Sequence, residues 1–309
     1  MKSSNCSLWI LGARTDVSFM MQTIPHIIKM CNFPFEEKVL AVDTALLSGD
    51  KTQRPGIGTM EQLRKNCKKL LDKKIVDKVI DINYSKEYKD KVYLKHFGTK
   101  RIKQTHNWKG YPVLGSIFCI EECKSEYMLH FDSDILFYQN KNYNWIKEGI
   151  ELTEKYPNIT DVRPFAGPPT KEGKLGQDFE YNPNGFYKIK GFSSRCFLIN
   201  CKKFEKLLPM NPLYYFFKKR RFVTRIKHII NYLRGDGFLE SWENIVANKI
   251  KKTNYFRAIL DSTNVWTLHP CDHGPKFIEI LPKIIKKIEK GEYPEEQAGD
   301  YDLKLEYWI

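Results

Sequence analysis

The chain has 309 residues, 42% of them hydrophobic, and its 51 Lys and Arg outnumber its 37 Asp and Glu for a formal net charge of +14. That apolar content fills the core of one large α/β domain or two small ones and excludes an intrinsically disordered chain. No apolar run approaches bilayer-spanning length, and Met1-Lys2-Ser3-Ser4-Asn5-Cys6-Ser7 enters a strand too short for a signal-peptide core, so the expected location is cytoplasmic. The eight cysteines, Cys6, Cys31, Cys67, Cys119, Cys123, Cys196, Cys201 and Cys271, include no Cys-x-x-Cys pair and are expected to be buried, reduced thiols.

In chain order, Leu8-Trp9-Ile10-Leu11 is expected to form a first strand closing on Gly12-Ala13-Arg14, with Asp16 capping a helix that Pro25 kinks or splits. Lys38-Val39-Leu40-Ala41-Val42 reads as a second strand ending at Asp43. Thr59-x-x-Gln62 is a capping-box pattern, and Met60, Leu63, Cys67, Leu70 and Leu71 fall on one helical stripe. Val79-Ile80-Asp81-Ile82 is a third strand, and Pro112 suits the first turn of a helix that feeds the strand of residues 127–138. Residues 161–190 read as long loops, Arg195-Cys196-Phe197-Leu198-Ile199-Asn200 returns to strand, and residues 238–250 read as a helix with Leu239, Trp242, Ile245, Val246 and Ile250 buried. This alternation predicts a largely parallel α/β sheet flanked by helices.

Chemistry concentrates in Tyr127-Met128-Leu129-His130-Phe131-Asp132-Ser133-Asp134-Ile135-Leu136-Phe137-Tyr138. Extended geometry turns Asp132 and Asp134 to one side, where they can share a hard cation that neutralises a diphosphate. Ligands of such sheets bind beyond the carboxyl ends of the strands, so Arg14, Asp43 and Asp132 should converge on one rim. Other readings stay open: an Asp-rich turn, or the nucleophile motif of haloacid dehalogenase-like phosphatases, against which stand its mid-chain place and the following Ile135-Leu136. Asp43 equally suits a turn cap. Glu240, Glu243 and Asn244 stand at i, i+3 and i+4 on one helix face, with a solvated acidic face as the alternative. Trp266-Thr267-Leu268-His269-Pro270-Cys271-Asp272-His273-Gly274-Pro275-Lys276 is a strand running into a His-rich turn, and His269, Cys271 and His273 are zinc-ligand types without a visible fourth.

Taken in order, these elements resemble the GT-A fold glycosyltransferases. Asp132-Ser133-Asp134 is similar to their Asp-x-Asp motif, Glu240-Ser241-Trp242-Glu243-Asn244 to their Trp-then-acid motif, and His273-Gly274-Pro275-Lys276 to their C-terminal His followed by Gly and Lys. Gly12-Ala13-Arg14 matches the family's first loop in position only, since its Pro-x-Tyr or Pro-x-Phe signature is absent. The resemblance implies a GT-A, Rossmann-like, mostly parallel sheet in one continuous domain. Residues 1–138 would be the nucleotide-sugar half, and residues 139–309 the acceptor-binding and catalytic half with a C-terminal helix. It implies Mn2+ or Mg2+ on Asp132, Asp134 and His273, with donor contacts from Gly12, Ala13, Arg14, Asp43, Asp132, Ser133 and Lys276. Glu243 would be the general base of an inverting transfer from a nucleotide-diphosphate sugar, UDP-linked, to a glycan or lipid-linked acceptor.

Leu213-Tyr214-Tyr215-Phe216-Phe217-Lys218-Lys219-Arg220-Arg221-Phe222, followed by Arg225, Lys227, His228 and Arg234, sets an aromatic cluster beside a basic one and points to peripheral membrane contact through residues 213–234. The alternative function is a non-catalytic basic protein binding a membrane surface or nucleic acid. Against nucleic acid, the positive charge is spread over faces such as Lys283, Lys286, Lys287 and Lys290, opposite Leu281, Ile284, Ile285 and Ile288, and no nucleic-acid motif appears.

Overall fold

The computed structural model describes residues 5–173, 180–182, 185–215 and 221–309. Strands β1 (Cys6–Gly12), β2 (Lys38–Val42) and β3 (Lys78–Asp81) alternate with helices α1 (Met20–Cys31) and α2 (Met60–Asp72), and α3 (Lys86–Phe97) and α4 (Val113–Glu122) lead to β4 (Tyr127–Asp132). Next come β5 (Leu136–Gln139), α5 (Trp145–Lys155), β6 (Ile159–Arg163), β7 (Phe165–Ala166), β8 (Glu180–Asn182), β9 (Phe186–Ile189), β10 (Cys196–Asn200) and α6 (Cys201–Glu205). The chain ends with β11 (Tyr214–Tyr215), α7 (Arg221–Arg234), β12 (Phe238–Leu239), α8 (Trp242–Lys251), β13 (Phe256–Leu260), β14 (Val265–Pro270), α9 (Pro275–Ile288) and β15 (Asp302–Leu303).

Among the described residues the central sheet has nine strands in the order β3-β2-β1-β4-β10-β6-β13-β9-β8. β10 runs against both of its neighbours, as does β9, while the remaining pairs are parallel. Seven of the nine strands therefore point one way, which bears out the expected mostly parallel α/β sheet. Alternation explains its burial on both faces: Cys6, Leu8 and Ile10 of β1 and Leu129 and Phe131 of β4 enter one core layer, whereas Trp9 and Met128 enter the other. A second sheet joins β15, β14 and β5, with β7 also on β14, and packs against α9 through Trp266, Leu268, Phe277, Leu281 and Ile284. Among the described residues no helix is long and apolar enough to cross a membrane. All eight cysteines are free, but Cys271 is exposed, contrary to the expectation that the thiols are buried.

Several local expectations are corrected. α1 runs unbroken through Pro25, because only the Met21 carbonyl loses its helical partner there. Asp16 does not cap that helix; its carboxylate accepts from the Ala13 N–H at 2.8 Å and so holds the loop after β1. The Thr59/Gln62 capping box forms as expected, although Leu71 is exposed. The strand expected over 127–138 is two strands in different sheets, broken by a turn in which the Ile135 N–H donates to the Asp132 carbonyl at 3.3 Å. The stretch 161–190 contains β6, β7, β8 and β9 rather than loop alone, with 174–179 and 183–184 outside the described residues. The helix expected over 238–250 begins only at Trp242, because Ser241 Oγ caps it by accepting from the Asn244 N–H at 3.1 Å. Phe238 and Leu239 pair instead with β11.

One buried contact makes stability depend on acid. Burial alone would push the Glu121 carboxyl up, but hydrogen bonds from His96 (2.8 Å) and Lys95 (3.0 Å) hold it down at about 2. A carboxylate depressed in the folded state stabilises above its unfolded pKa and loses that contribution as pH falls. Glu121→Gln should therefore cost up to about 3 kcal/mol in urea unfolding at pH 7, with the deficit vanishing between about pH 4.5 and 2. A deficit that does not change across that window would refute the assignment.

Candidate active site

A cleft of about 560 Å³ opens beyond the carboxyl ends of β1, β2 and β4. Its lining includes Gly12, Ala13, Asp43, Asp132, Ser133 and Asp134 together with Ser194, Arg195, Glu240, Glu243 and Asn244, and the Asp132 N–H donates to the Arg195 carbonyl at 2.8 Å. Lys51, Arg54 and Tyr111 line it as well, with Lys51 buried although it is a lysine.

Asp16 links two parts of this lining. Besides holding the Ala13 N–H, it accepts from Ser133 Oγ at 2.8 Å and Thr15 Oγ1 at 2.6 Å, so it joins the loop after β1 to the Asp132-Ser133-Asp134 turn. Burial pushes the Asp16 carboxyl up, opposed by the charge of Lys51. Asp43 is also well satisfied: it accepts from Tyr84 Oη at 2.7 Å, the Ala45 N–H at 3.0 Å and His106 Nε2 at 3.0 Å. Burial would raise it, but His106 and Lys51 keep it ionised below the usual range. The turn-cap reading of Asp43 is thus realised in a residue that also lines the cleft.

Asp134 is the centre of the second cluster. Its Oδ2 lies 3.2 Å from His273 Nε2 and 3.9 Å from His269 Nε2, while its Oδ1 and His273 Nε2 are buried with no hydrogen-bond partner among the described residues. Two lone-pair groups 3.2 Å apart repel unless a proton or a cation joins them. Burial would raise the Asp134 carboxyl, yet His273, His269 and Arg54 together hold it low. Carboxylate plus imidazole suits Mn2+ better than Ca2+ or Mg2+, and Asp134 and His273 offer one such pair of ligands. Asp132, a third exposed at its side chain, sits at the open side, 3.4 Å from His130 Nε2.

Glu243, which also lines the cleft, lies in the first turn of α8 and accepts from the Ser194 N–H at 3.0 Å. Its helix is anchored by Trp242, packed edge-on to Phe192 at 5.0 Å and against Phe197 and Phe204. The loop bearing Ser194 is held from beneath, where Arg257, paired with buried Asp161 at 2.5 Å, donates to the Ser193 carbonyl at 3.1 Å. Glu240 precedes the helix and accepts from Asn244 Nδ2 at 2.9 Å.

Gly12, Ala13, Asp43, Asp132, Ser133, Asp134 and Glu243 thus meet in one cleft. Arg14 does not join them; its Nε donates to the Gly58 carbonyl at 2.9 Å, outside the rim where it was expected. Lys276 is exposed on α9 and does not line the cleft. His273 is buried behind Asp134, stacked on Phe19 at 4.8 Å, while His269 and Cys271 reach the cleft itself. The sequence reading missed Asp16 as a site residue, and also Lys51, Arg54, His106 and Arg195. Lys51 and Arg54 carried one usable signal, their place just after β2 on the rim where α/β sheets bind ligands. His106 and Arg195 had none.

No protein-family model matches the chain, and no curated protein matches it in sequence. Among solved structures, GalNAc-T7 with UDP, GalNAc and Mn2+ aligns over 87% of this chain and 44% of its own at 13% identity, with a TM-score of 0.48. An active-site mutant of LgtC aligns over 95% of this chain and 99% of its own at 10% identity (TM-score 0.41). S. aureus TarS in complex with UDP-GlcNAc aligns over 84% and 57% at 11% identity (TM-score 0.42). The chain therefore spans less than half the length of the GalNAc-T7 structure and less than two thirds of that TarS structure.

Proposed function

We propose that this chain is a metal-dependent glycosyltransferase that moves a sugar from a nucleotide-diphosphate donor, UDP-linked, to a glycan or lipid-linked acceptor with inversion. The observation that carries this reading is that Asp132, Asp134 and Glu243 line one cleft that also holds Lys51 and Arg54. In this reading residues 1–138 supply the donor side and residues 139–309 the acceptor and catalytic side of one domain. Mn2+ or Mg2+ held by Asp132, Asp134 and His273, with His269 beside them, would supply charge neutralisation for the departing diphosphate. Lys51 and Arg54 bind diphosphate oxygens, and Gly12, Ala13 and Asp43 lie where the nucleoside would rest. Glu243, oriented by the Ser194 N–H, takes the proton of the acceptor hydroxyl as that oxygen attacks the anomeric carbon. Direct attack opposite the leaving group inverts the centre.

A thermal-shift screen of nucleotide sugars with and without Mn2+ tests the reading. At a ligand concentration of 100 times Kd, binding stabilises the fold by about 2.7 kcal/mol, so a donor should raise Tm only when the metal is present. No shift with any nucleotide sugar would reject the proposal.

Membrane contact through residues 213–234 is part of the same proposal. Lys218, Lys219 and Arg220 lie outside the described residues, as do the side chains of Arg221, Arg225 and His228. Support comes instead from α7, where Ile226, Ile229, Ile230 and Leu233, spaced i, i+3, i+4 and i+7, are 39–60% exposed on a helix without any acidic residue. Such a stripe beside cations fits an anionic lipid surface, each Lys or Arg there adding about 1 kcal/mol before screening. Wild type should co-sediment with anionic liposomes at low salt and less at high salt, and Ile229→Ser/Leu233→Ser should not; equal binding by both proteins would remove the helix from this role.

A further inference from the structure

Three metal-ligating side chains from two strand ends meet at the rim of the cleft. β14 carries His269 and runs on to Cys271, and β15 lies parallel to it with His269 and Asp302 as register partners. This pairing sets Asp302 Oδ1 3.2 Å from His269 Nδ1, and Cys271 Sγ lies 3.5 Å from the same nitrogen. The three ligand atoms all fall within 4.8 Å of one another. Zinc bonds of about 2.0–2.1 Å to nitrogen or oxygen and about 2.3 Å to sulfur, at tetrahedral angles, space ligand atoms about 3.3–3.6 Å apart. Two edges of the triangle already have nearly those lengths. One imidazole, one thiolate and one carboxylate leave a fourth position open, and the sulfur selects zinc-like ions over Mg2+ or Mn2+.

We propose that Cys271 Sγ, His269 Nδ1 and Asp302 form a site for a thiophilic divalent cation, Zn2+ by its chemistry, distinct from the cluster around Asp134. On binding, the S–H bond of Cys271 breaks, its proton passes to solvent and a sulfur–metal bond forms.

Occupancy also changes what His269 shows to Asp134. A nitrogen bound to metal carries no proton, so the neutral ring must carry its proton on Nε2, which lies 3.9 Å from Asp134 Oδ2. Without the ion, Nδ1–H can donate to Asp302 and Nε2 keeps its lone pair toward Asp134. The ion thereby converts His269 from a lone-pair group to a donor on the side of the cleft. This inference stands whether or not the protein transfers sugars.

The test titrates the reduced, chelator-treated 309-residue chain with Co2+, a spectroscopic stand-in for Zn2+. Wild type should develop a saturable near-ultraviolet thiolate-to-cobalt band with tetrahedral visible bands, and Zn2+ should displace both. Cys271→Ser, at an exposed position that leaves the metal-free Tm unchanged, should abolish the thiolate band, and Asp302→Asn should weaken Co2+ binding about 10-fold or more. Asp134→Asn should keep the band, which separates this site from the one in the cleft. No thiolate band in wild type, or a band that survives Cys271→Ser, overturns the proposal.

Discussion

Glu243→Gln should lower turnover by about two to four orders of magnitude while donor affinity barely changes. Glutamine keeps the shape of the side chain and can still accept the Ser194 N–H, so the lining of the cleft stays as it is. Under the proposed mechanism the substitution removes the base for the acceptor hydroxyl, a loss felt only as the proton moves. Single-turnover kinetics with donor saturation and a separate donor-binding assay divide the two effects. Unchanged turnover would move the base to Glu240, another acid lining the cleft, and a product with retained anomeric configuration would remove the role altogether.

Asp134→Asn should abolish the Mn2+-dependent part of donor binding and leave a folded protein. Asp134 is buried, its Oδ1 has no hydrogen-bond partner among the described residues, and two imidazoles and Arg54 hold its carboxyl ionised. An amide presents one neutral oxygen in place of that charge, too weak a ligand for a hard cation. The thermal shift given by donor plus Mn2+ in wild type should fall to the level seen with donor alone. Asp132→Asn should have a smaller effect, because its side chain is about a third exposed and stands at the open edge of the cluster. An Asp134→Asn protein that still gives the full Mn2+-dependent shift would rule out metal binding at this turn.

Local pattern carried the first three strands. β2 spans the five residues Lys38–Val42 read from the sequence, and β1 and β3 lie within two residues of expectation, because a short apolar run between turn residues can bury itself in few other ways. The Asp132-Ser133-Asp134 motif was legible as a pair of acids, but its geometry was not. The turn that breaks β4 from β5 arises because β5 leaves the central sheet to pair with β14, a partner more than a hundred residues away in the chain. Separation in the chain likewise hid Asp302, 33 residues from His269 and meeting it only through the parallel β14–β15 pairing, and Arg257, 64 residues from the Ser193 carbonyl to which it donates.

The sequence by itself determined the α/β class, the rim of the sheet where the cleft opens and the residue types available there, since these follow from periodicity and capping within a dozen residues. Only the tertiary structure decided which of those residues share a site: His269 and Cys271 at the cleft with His273 behind Asp134, Lys51 and Arg54 inside it, and Arg14 and Lys276 away from it. Side-chain convergence depends on strand order and loop path. Those are set by burying all three core layers at once, and no local stretch of the chain records that condition.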